Sequence, residues 1–212
     1  MGYFDLIMNE KLGLDSAFLD EKNPFDLFKI WMKEAEKKEP NDPNAFNVAT
    51  VDSTGQPDNR VVLLKGLTDK SFIFYTNLES KKGRDLRHNP KASMCFHWKS
   101  LLRQVRIQGS VELVDSKTAD DYYNSRAYES RIGAWASSQS EVMKHRDEFE
   151  EKIEEFKKKY PDENNVPRPP YWSGWALTPY KIEFWKDVKN RLHQRLCYSR
   201  IGDSWSKELL YP

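Results

Sequence analysis

The chain has 212 residues, with 34 Lys and Arg against 33 Asp and Glu, a formal net charge of +1. That length suits one cored domain or two small ones, and that balance supplies no overall field to draw in nucleic acid or an anionic membrane, so an anion site must be a local cluster. Two cysteines, Cys95 and Cys197, with no C-x-x-C pair exclude a disulfide framework, and the longest aliphatic run, residues 61–64, is far too short to span a bilayer.

Residues 1–6 lack the basic start and long apolar stretch of a signal peptide, and Leu6 stands where myristoylation wants Ser or Thr, so a cytoplasmic protein with reduced thiols is expected. Residues 1–22 carry little pattern and read as an arm preceding a single domain over 23–212. Asn23–Pro24 then opens a helix, Asn as cap and Pro in the first turn, with Phe25, Phe28, Trp31, Met32 and Ala35 as its apolar stripe. Strands are predicted over 45–51, 60–65 and 71–76, joined by turn residues as an antiparallel meander. Ser80 caps a short basic helix carrying Lys81, Lys82, Arg84 and Arg87. Strands return over 91–98 and 102–114, the second alternating Val105, Ile107 and Gly109 against Gln104, Arg106 and Gln108. Helices are predicted over 116–125 and 141–160, and residues 162–170 form a Pro-rich connector. A last antiparallel set covers 175–177, 182–185, 192–199 and 204–209, with Gly202 in its hairpin turn. The order implies an α+β fold dominated by β: one antiparallel, barrel-like sheet with peripheral helices.

Phosphate recognition needs converging donors, and several segments offer them. Arg60 and Lys65 flank one strand, though their odd spacing points them to opposite faces unless a bulge or a strand end intervenes. Lys81 and Lys82 sit where free helical N–H groups favour an anion. Tyr122, Arg126 and Ser130 recur every four residues, so a continuous helix would align them, and Gln139 and Ser140 open the next helix. Near the C-terminus Arg191, His193 and Arg195 alternate, which on a strand puts two guanidiniums and an imidazole on one face; alone, that pattern equally describes a charged face in water. The four histidines show no zinc-ligand spacing, and neither a P-loop, a dinucleotide fingerprint nor a nucleophile elbow is present.

Taken in register, Arg60-Val-Val-Leu-Leu-Lys65, Phe74-Tyr-Thr-Asn77, Ser80-Lys-Lys82, Arg103-Gln-Val-Arg106, Ser125-Arg126, Ile132-Gly-Ala-Trp135, Gln139-Ser140, Ile182-Glu-Phe-Trp185 and Arg191-Leu-His193 resemble the pyridoxamine 5′-phosphate oxidase family. The resemblance implies an antiparallel split β-barrel and a homodimer with FMN in each of two clefts between subunits. It implies FMN contacts at Arg60, Val61, Val62, Leu63, Tyr75, Thr76, Lys81, Lys82, Gln104, Gln139, Ser140, Trp185 and Arg195. It implies a cradle for the substrate phosphate at Lys65, Tyr122, Arg126 and Ser130, with Arg191 and His193 over the substrate ring as the catalytic pair. The implied activity is oxidation of pyridoxamine or pyridoxine 5′-phosphate to pyridoxal 5′-phosphate with O2 as acceptor, without metal, membrane or nucleic acid. The chain departs from the family pattern at Gln194, where Asp is usual beside Arg195, at Lys81 for Arg, at Ser173 for Gly, and over 186–190, where a glycine is missing. Two alternatives stay open: a split-barrel flavoenzyme acting on another substrate, and a non-catalytic binder of flavin or of a vitamin B6 phosphate.

Overall fold

A computed structural model describes residues 20–212; the arm expected over 1–22 lies almost wholly outside them. Helix α1 (Pro24–Lys38) starts as its sequence dictates, with the Asn23 side chain accepting from Phe25 N–H and Pro24 in the first turn. Its stripe of Phe25, Leu27, Phe28, Trp31 and Ala35 is buried, while Met32 is half-buried. Strand β1 (Ala45–Val51) alternates half-buried and buried residues and hairpins into β2 (Pro57–Leu63), followed by the two-residue β3 (Gly66–Leu67), β4 (Phe72–Asn77), helix α2 (Lys81–His88), β5 (Lys91–Trp98) and β6 (Arg103–Leu113). Helices α3 (Ser116–Asn124), α4 (Tyr128–Ala136) and α5 (Asp147–Lys159) precede β7 (Trp172–Lys186), β8 (Gln194–Ile201) and β9 (Ser204–Leu210).

All strand pairings are antiparallel, in the order β2-β1-β5-β6-β7-β4-β3, with β8 and β9 branching from β7. The branch arises from the 15-residue length of β7: residues 172–177 pair with β4, residues 181–186 pair with β8, and β6 runs along the other edge. A register shift at Gln108/Gly109 bends this pair, and a Cβ on Gly109 would lie 2.3 Å from the Thr178 carbonyl oxygen, so only glycine fits the bulge. The sheet curls until Cα atoms of β2 and β4, remote in strand order, come within 8 Å. Aromatic rings from α1 fill the curl: Phe28 packs edge-on to Phe96 with centroids 5.1 Å apart, and Trp31 packs edge-on to Phe184 at 5.1 Å. The fold is an antiparallel split barrel with helices packed outside it.

Four expectations change. The early strands are not one meander, because β4 turns away from β2 to pair with β3 and β7. Residues 175–177 and 182–185 are parts of one strand. Residues 141–146 are not helical: Val142 is 95% exposed, so no buried apolar stripe supports a helix before Asp147. Residues 191–193 are not strand either; they leave a 3-10 turn over Lys189–Arg191, with Asn190 and Arg191 at φ of 62° and 61°, and β8 begins only at Gln194.

Candidate active site

A cleft of about 770 Å³ opens between β2, β4, α2, α3 and α4, within the size range of cofactor sites. It gathers Arg60, Val61, Val62, Leu63, Lys65, Tyr75, Thr76, Lys81, Lys82, Tyr122, Arg126, Ser130, Gln139 and Ser140 from segments far apart in sequence. The Arg60–Lys65 facing problem disappears because β2 ends at Leu63: Leu64 turns inward, its N–H bound to the Asn44 carbonyl, and Lys65 emerges past the strand end on the cleft side. Tyr122, Arg126 and Ser130 meet without a continuous helix, since the chain breaks between Asn124 and Tyr128.

The cations in the cleft are of two kinds. Arg60 and Lys81 already have carboxylates: Arg60 donates to Asp58 at 2.7 Å and to the Thr50 hydroxyl at 2.7 Å, and Lys81 lies 3.2 Å from Asp85. Lys82 is 7% exposed, and its ammonium donates only to neutral oxygens, those of Thr76 at 2.8 Å, Gln139 at 3.0 Å and Ser80 at 3.1 Å. Burial, with the nearby Arg60 guanidinium, lowers its pKa from 10.5 to about 8. Arg126 lies over the Trp172 ring at 4.8 Å, burial lowers its pKa, and its buried Nη1 has no hydrogen-bond partner among the described residues. A cation held out of water without an anion is costly; Lys82 on α2 is buried, and Arg126, between α3 and α4, is half-buried.

Local structure holds these groups in place. Ser80 caps α2, its Oγ accepting from Gly83 N–H, and a Cβ on Gly83 would sit 2.2 Å from the Leu78 carbonyl oxygen, so glycine lets the helix start close against the chain leaving β4. The rings of Tyr75, Tyr122 and Trp172 form a near-parallel cluster, with Tyr75 3.9 Å from Tyr122 and 5.4 Å from Trp172 and those two 6.1 Å apart, and Gly174 on the neighbouring strand leaves room for the Tyr75 ring. Ser140 takes a φ of 74°, a costly left-handed conformation at the cleft wall. Asn77, Gly133, Ser137 and Trp172 also line the cleft; Asn77 and Gly133 fall inside motifs named above, while Trp172 lacked any signal beyond aromaticity.

Five residues lie elsewhere on this chain. Gln104, Trp185 and Arg195 are neighbours across β6, β7 and β8, in register as Gln104↔Trp185 and Trp185↔Arg195. Arg191 and His193 line a separate hollow of about 370 Å³ with Leu102 and residues 187–190. The Trp185 ring packs on His193 at 4.7 Å. Arg195, without an Asp beside it, donates from Nε to Glu183 at 2.8 Å. Glu183 is 4% exposed and also accepts from Arg106; burial works against its charge, but the two guanidiniums hold its pKa below the usual range. Gln194 therefore does not strand Arg195. Among the described residues no cluster of three or more His, Cys, Asp or Glu is arranged to hold a metal, and no helix is long and apolar enough to cross a membrane.

A curled antiparallel sheet with a cation-lined cleft beside it is the frame of a split-barrel protein. Residues 32–160 match the family described as pyridoxamine 5′-phosphate oxidase, and residues 172–212 match the pyridoxine 5′-phosphate oxidase C-terminal dimerisation region. The chain is 58% identical over 208 residues to the pyridoxine/pyridoxamine 5′-phosphate oxidase of Pelagibacter ubique (strain HTCC1062), covering 97% of this chain and 100% of that one. It is 52% identical over 208 residues to the enzyme of the same name from Caulobacter vibrioides (strain NA1000 / CB15N), covering 98% and 93%. Among solved structures, PhzG from Burkholderia lata 383, in complex with tetrahydrophenazine-1-carboxylic acid, superposes with a TM-score of 0.88 at 30% identity over 94% of this chain and 98% of that one. A related FMN binding protein from Nostoc punctiforme shares the fold, with a TM-score of 0.72 at 18% identity over 89% and 98%. The chain belongs to the pyridoxamine 5′-phosphate oxidase family, and it is a flavoenzyme of the oxidoreductase class.

Proposed function

We propose that residues 23–212 act as one FMN-binding split-barrel domain that oxidises pyridoxamine 5′-phosphate and pyridoxine 5′-phosphate to pyridoxal 5′-phosphate. The observation that carries this reading is a pair of cations without carboxylate partners among the described residues, buried Lys82 and half-buried Arg126, in one cleft. Two separate unmet cations suit two phosphates, one on a flavin mononucleotide and one on the substrate. Lys82, with Thr76, Gln139 and Ser140 and the free N–H groups opening α2, would hold the FMN phosphate; Arg60, Lys81, Tyr75 and the 61–63 backbone would complete that wall. Arg126, with Lys65, Tyr122 and Ser130, would clamp the substrate phosphate and convert its binding energy into orientation of C4′. The chemistry FMN supplies when bound is hydride acceptance from C4′ and onward electron transfer to O2, giving hydrogen peroxide, and ammonia once the amine-derived imine hydrolyses.

Gln104, Trp185, Arg191, His193 and Arg195 would complete the site from a second subunit. Four of the five fall in the region matched as a dimerisation region, and none lines the main cleft of its own chain. In a homodimer each cleft would receive the partner's second set, Gln104, Trp185 and Arg195 toward the flavin and Arg191 and His193 toward the substrate ring. The PhzG likeness raises a second reading, a flavoenzyme whose substrate is a carboxylic acid. Arg126 would meet a carboxylate too, so substrate trials decide. Pyridoxamine 5′-phosphate added in air to the purified yellow protein should give aldehyde and peroxide in equal amounts; a flavin-loaded protein giving neither would overturn the proposal.

A further inference from the structure

Where β7 ends, the backbone is pinned by Asp187 N–H donating to the Leu102 carbonyl at 2.8 Å. The loop then turns through Asn190 and Arg191, both left-handed, and returns at Gln194 opposite Lys186, so residues 187 and 193 face each other across its base. There the Asp187 Oδ1 lies 2.7 Å from His193 Nδ1. Val188 N–H also points at Nδ1, from 3.4 Å. The two neighbours demand opposite protonation states, since the amide needs a lone pair on Nδ1 and the carboxylate needs a proton. The carboxylate contact is shorter and charge-assisted, so it prevails. Trp185 closes one face of the imidazole, and the side chain keeps 25% of its surface exposed. Among the described residues nothing hydrogen-bonds His193 Nε2, and Asp187 pairs with no lysine or arginine.

We propose that Asp187 is a positioning residue: it holds the His193 Nδ1–H, fixes the ring against Trp185, and leaves the Nε2 lone pair as a hydrogen-bond acceptor for the substrate's C4′ amine or alcohol. The first part stands on this chain's geometry alone; the second rests on the reading of His193 as a substrate contact. Asp187 lies in the 186–190 segment, where the chain lacks the family's usual glycine. A neutral imidazole has one donor and one acceptor nitrogen, and the group bound to one decides what the other offers. Free imidazole side chains favour the proton on Nε2, the wrong tautomer for accepting a bond there.

The test is the tautomer of His193 in the flavin-loaded, substrate-free protein, read from 15N and 13C shifts of histidine-labelled samples, with His193→Gln supplying the assignment. Wild type should show the Nδ1–H form. Asp187→Ala should move the signal to the Nε2–H form, whereas Asp187→Asn, whose amide oxygen can still accept, should retain part of the Nδ1–H population. Turnover should follow: kcat for pyridoxamine 5′-phosphate about tenfold lower in Asp187→Ala, KM within about twofold, and partial recovery in Asp187→Asn. Identical His193 spectra in wild type and Asp187→Ala would overturn the proposal whatever the activity. The expected tautomers in a protein that makes no aldehyde would uphold the carboxylate–imidazole contact and reject the oxidase reading with the substrate role.

Discussion

Replacing Lys82 by Met should remove a rise in the stability of the flavin-free protein between pH 8 and 10.5 and weaken its hold on FMN. In the folded chain the ammonium's pKa falls from 10.5 to about 8, through burial first and the Arg60 guanidinium second. A lowered lysine pKa means the charged form costs stability. Below pH 8 the folded and unfolded chains both carry the proton and the full cost is present. Between pH 8 and 10.5 the unfolded chain keeps a proton that the folded one has lost, so stability rises with pH across that window. At about 1.4 kcal/mol per pKa unit the shift corresponds to ~3 kcal/mol. Met keeps the apolar stem but abandons three hydrogen bonds to Thr76, Ser80 and Gln139, each worth about 0.5–1.5 kcal/mol, which offsets most of that cost at pH 7; the rise in stability toward pH 10.5 should be missing from the variant. The lost charged hydrogen bond to a phosphate, ~1.5–3 kcal/mol, should raise the FMN Kd about 10- to 150-fold. Urea unfolding of stripped protein at pH 7 and pH 10, with FMN titration by flavin fluorescence, reads both effects. A Lys82→Met protein that gains as much stability as wild type between pH 7 and pH 10, or that binds FMN as wild type does, would refute the assignment of Lys82 as the unmet charge awaiting a phosphate.

Arg126→Ala should raise KM for pyridoxamine 5′-phosphate about 10- to 100-fold with a smaller effect on kcat, and steady-state kinetics at saturating FMN measure it. Arg191→Ala should lower kcat with FMN still bound, as bound-flavin absorbance and turnover report together. Gly83→Ala should destabilise the fold by about 1–3 kcal/mol despite alanine's better helix propensity, because its Cβ would lie 2.2 Å from a backbone carbonyl; a denaturant midpoint at or above wild type would contradict that.

Much of the fold follows from local pattern. Asn23–Pro24 places α1, alternation over 91–98 and 102–114 places β5 and β6, and Gly202, at φ 57°, makes the last hairpin turn. Strand order was beyond reach, because nothing local in β4 distinguishes β2 from β7 as its partner. Helix α4 was not anticipated: it has no side-chain cap, and the Ile132–Trp135 motif drew attention to chemistry rather than to helical spacing. The strand expected through Arg191–Arg195 failed because side-chain alternation is silent about backbone φ, and two residues in the left-handed region interrupt it. For the site, the residues of the main cleft were legible individually. Which cations are already neutralised was also legible but went unread: Asp58 pairs with Arg60 two residues along β2, and Asp85 with Lys81 across one turn of α2. Glu183 and Asp187, the acceptors for Arg195 and His193, were out of reach, because those pairs depend on cross-strand register and loop closure.

The account stands most directly on mixed dimers. Arg126→Ala and Arg191→Ala chains, each with a different tag and each impaired alone at substrate concentrations below the wild-type KM, can be coexpressed in equal amounts and the doubly tagged dimer isolated and assayed there. If each site takes Arg126 from one subunit and Arg191 from the other, every mixed dimer carries one intact site and one with both lesions. About half of wild-type activity per dimer is then expected with pyridoxamine 5′-phosphate in air. Mixed dimers as impaired as their parents would mean that the two halves of the site act within one chain, and would contradict the account.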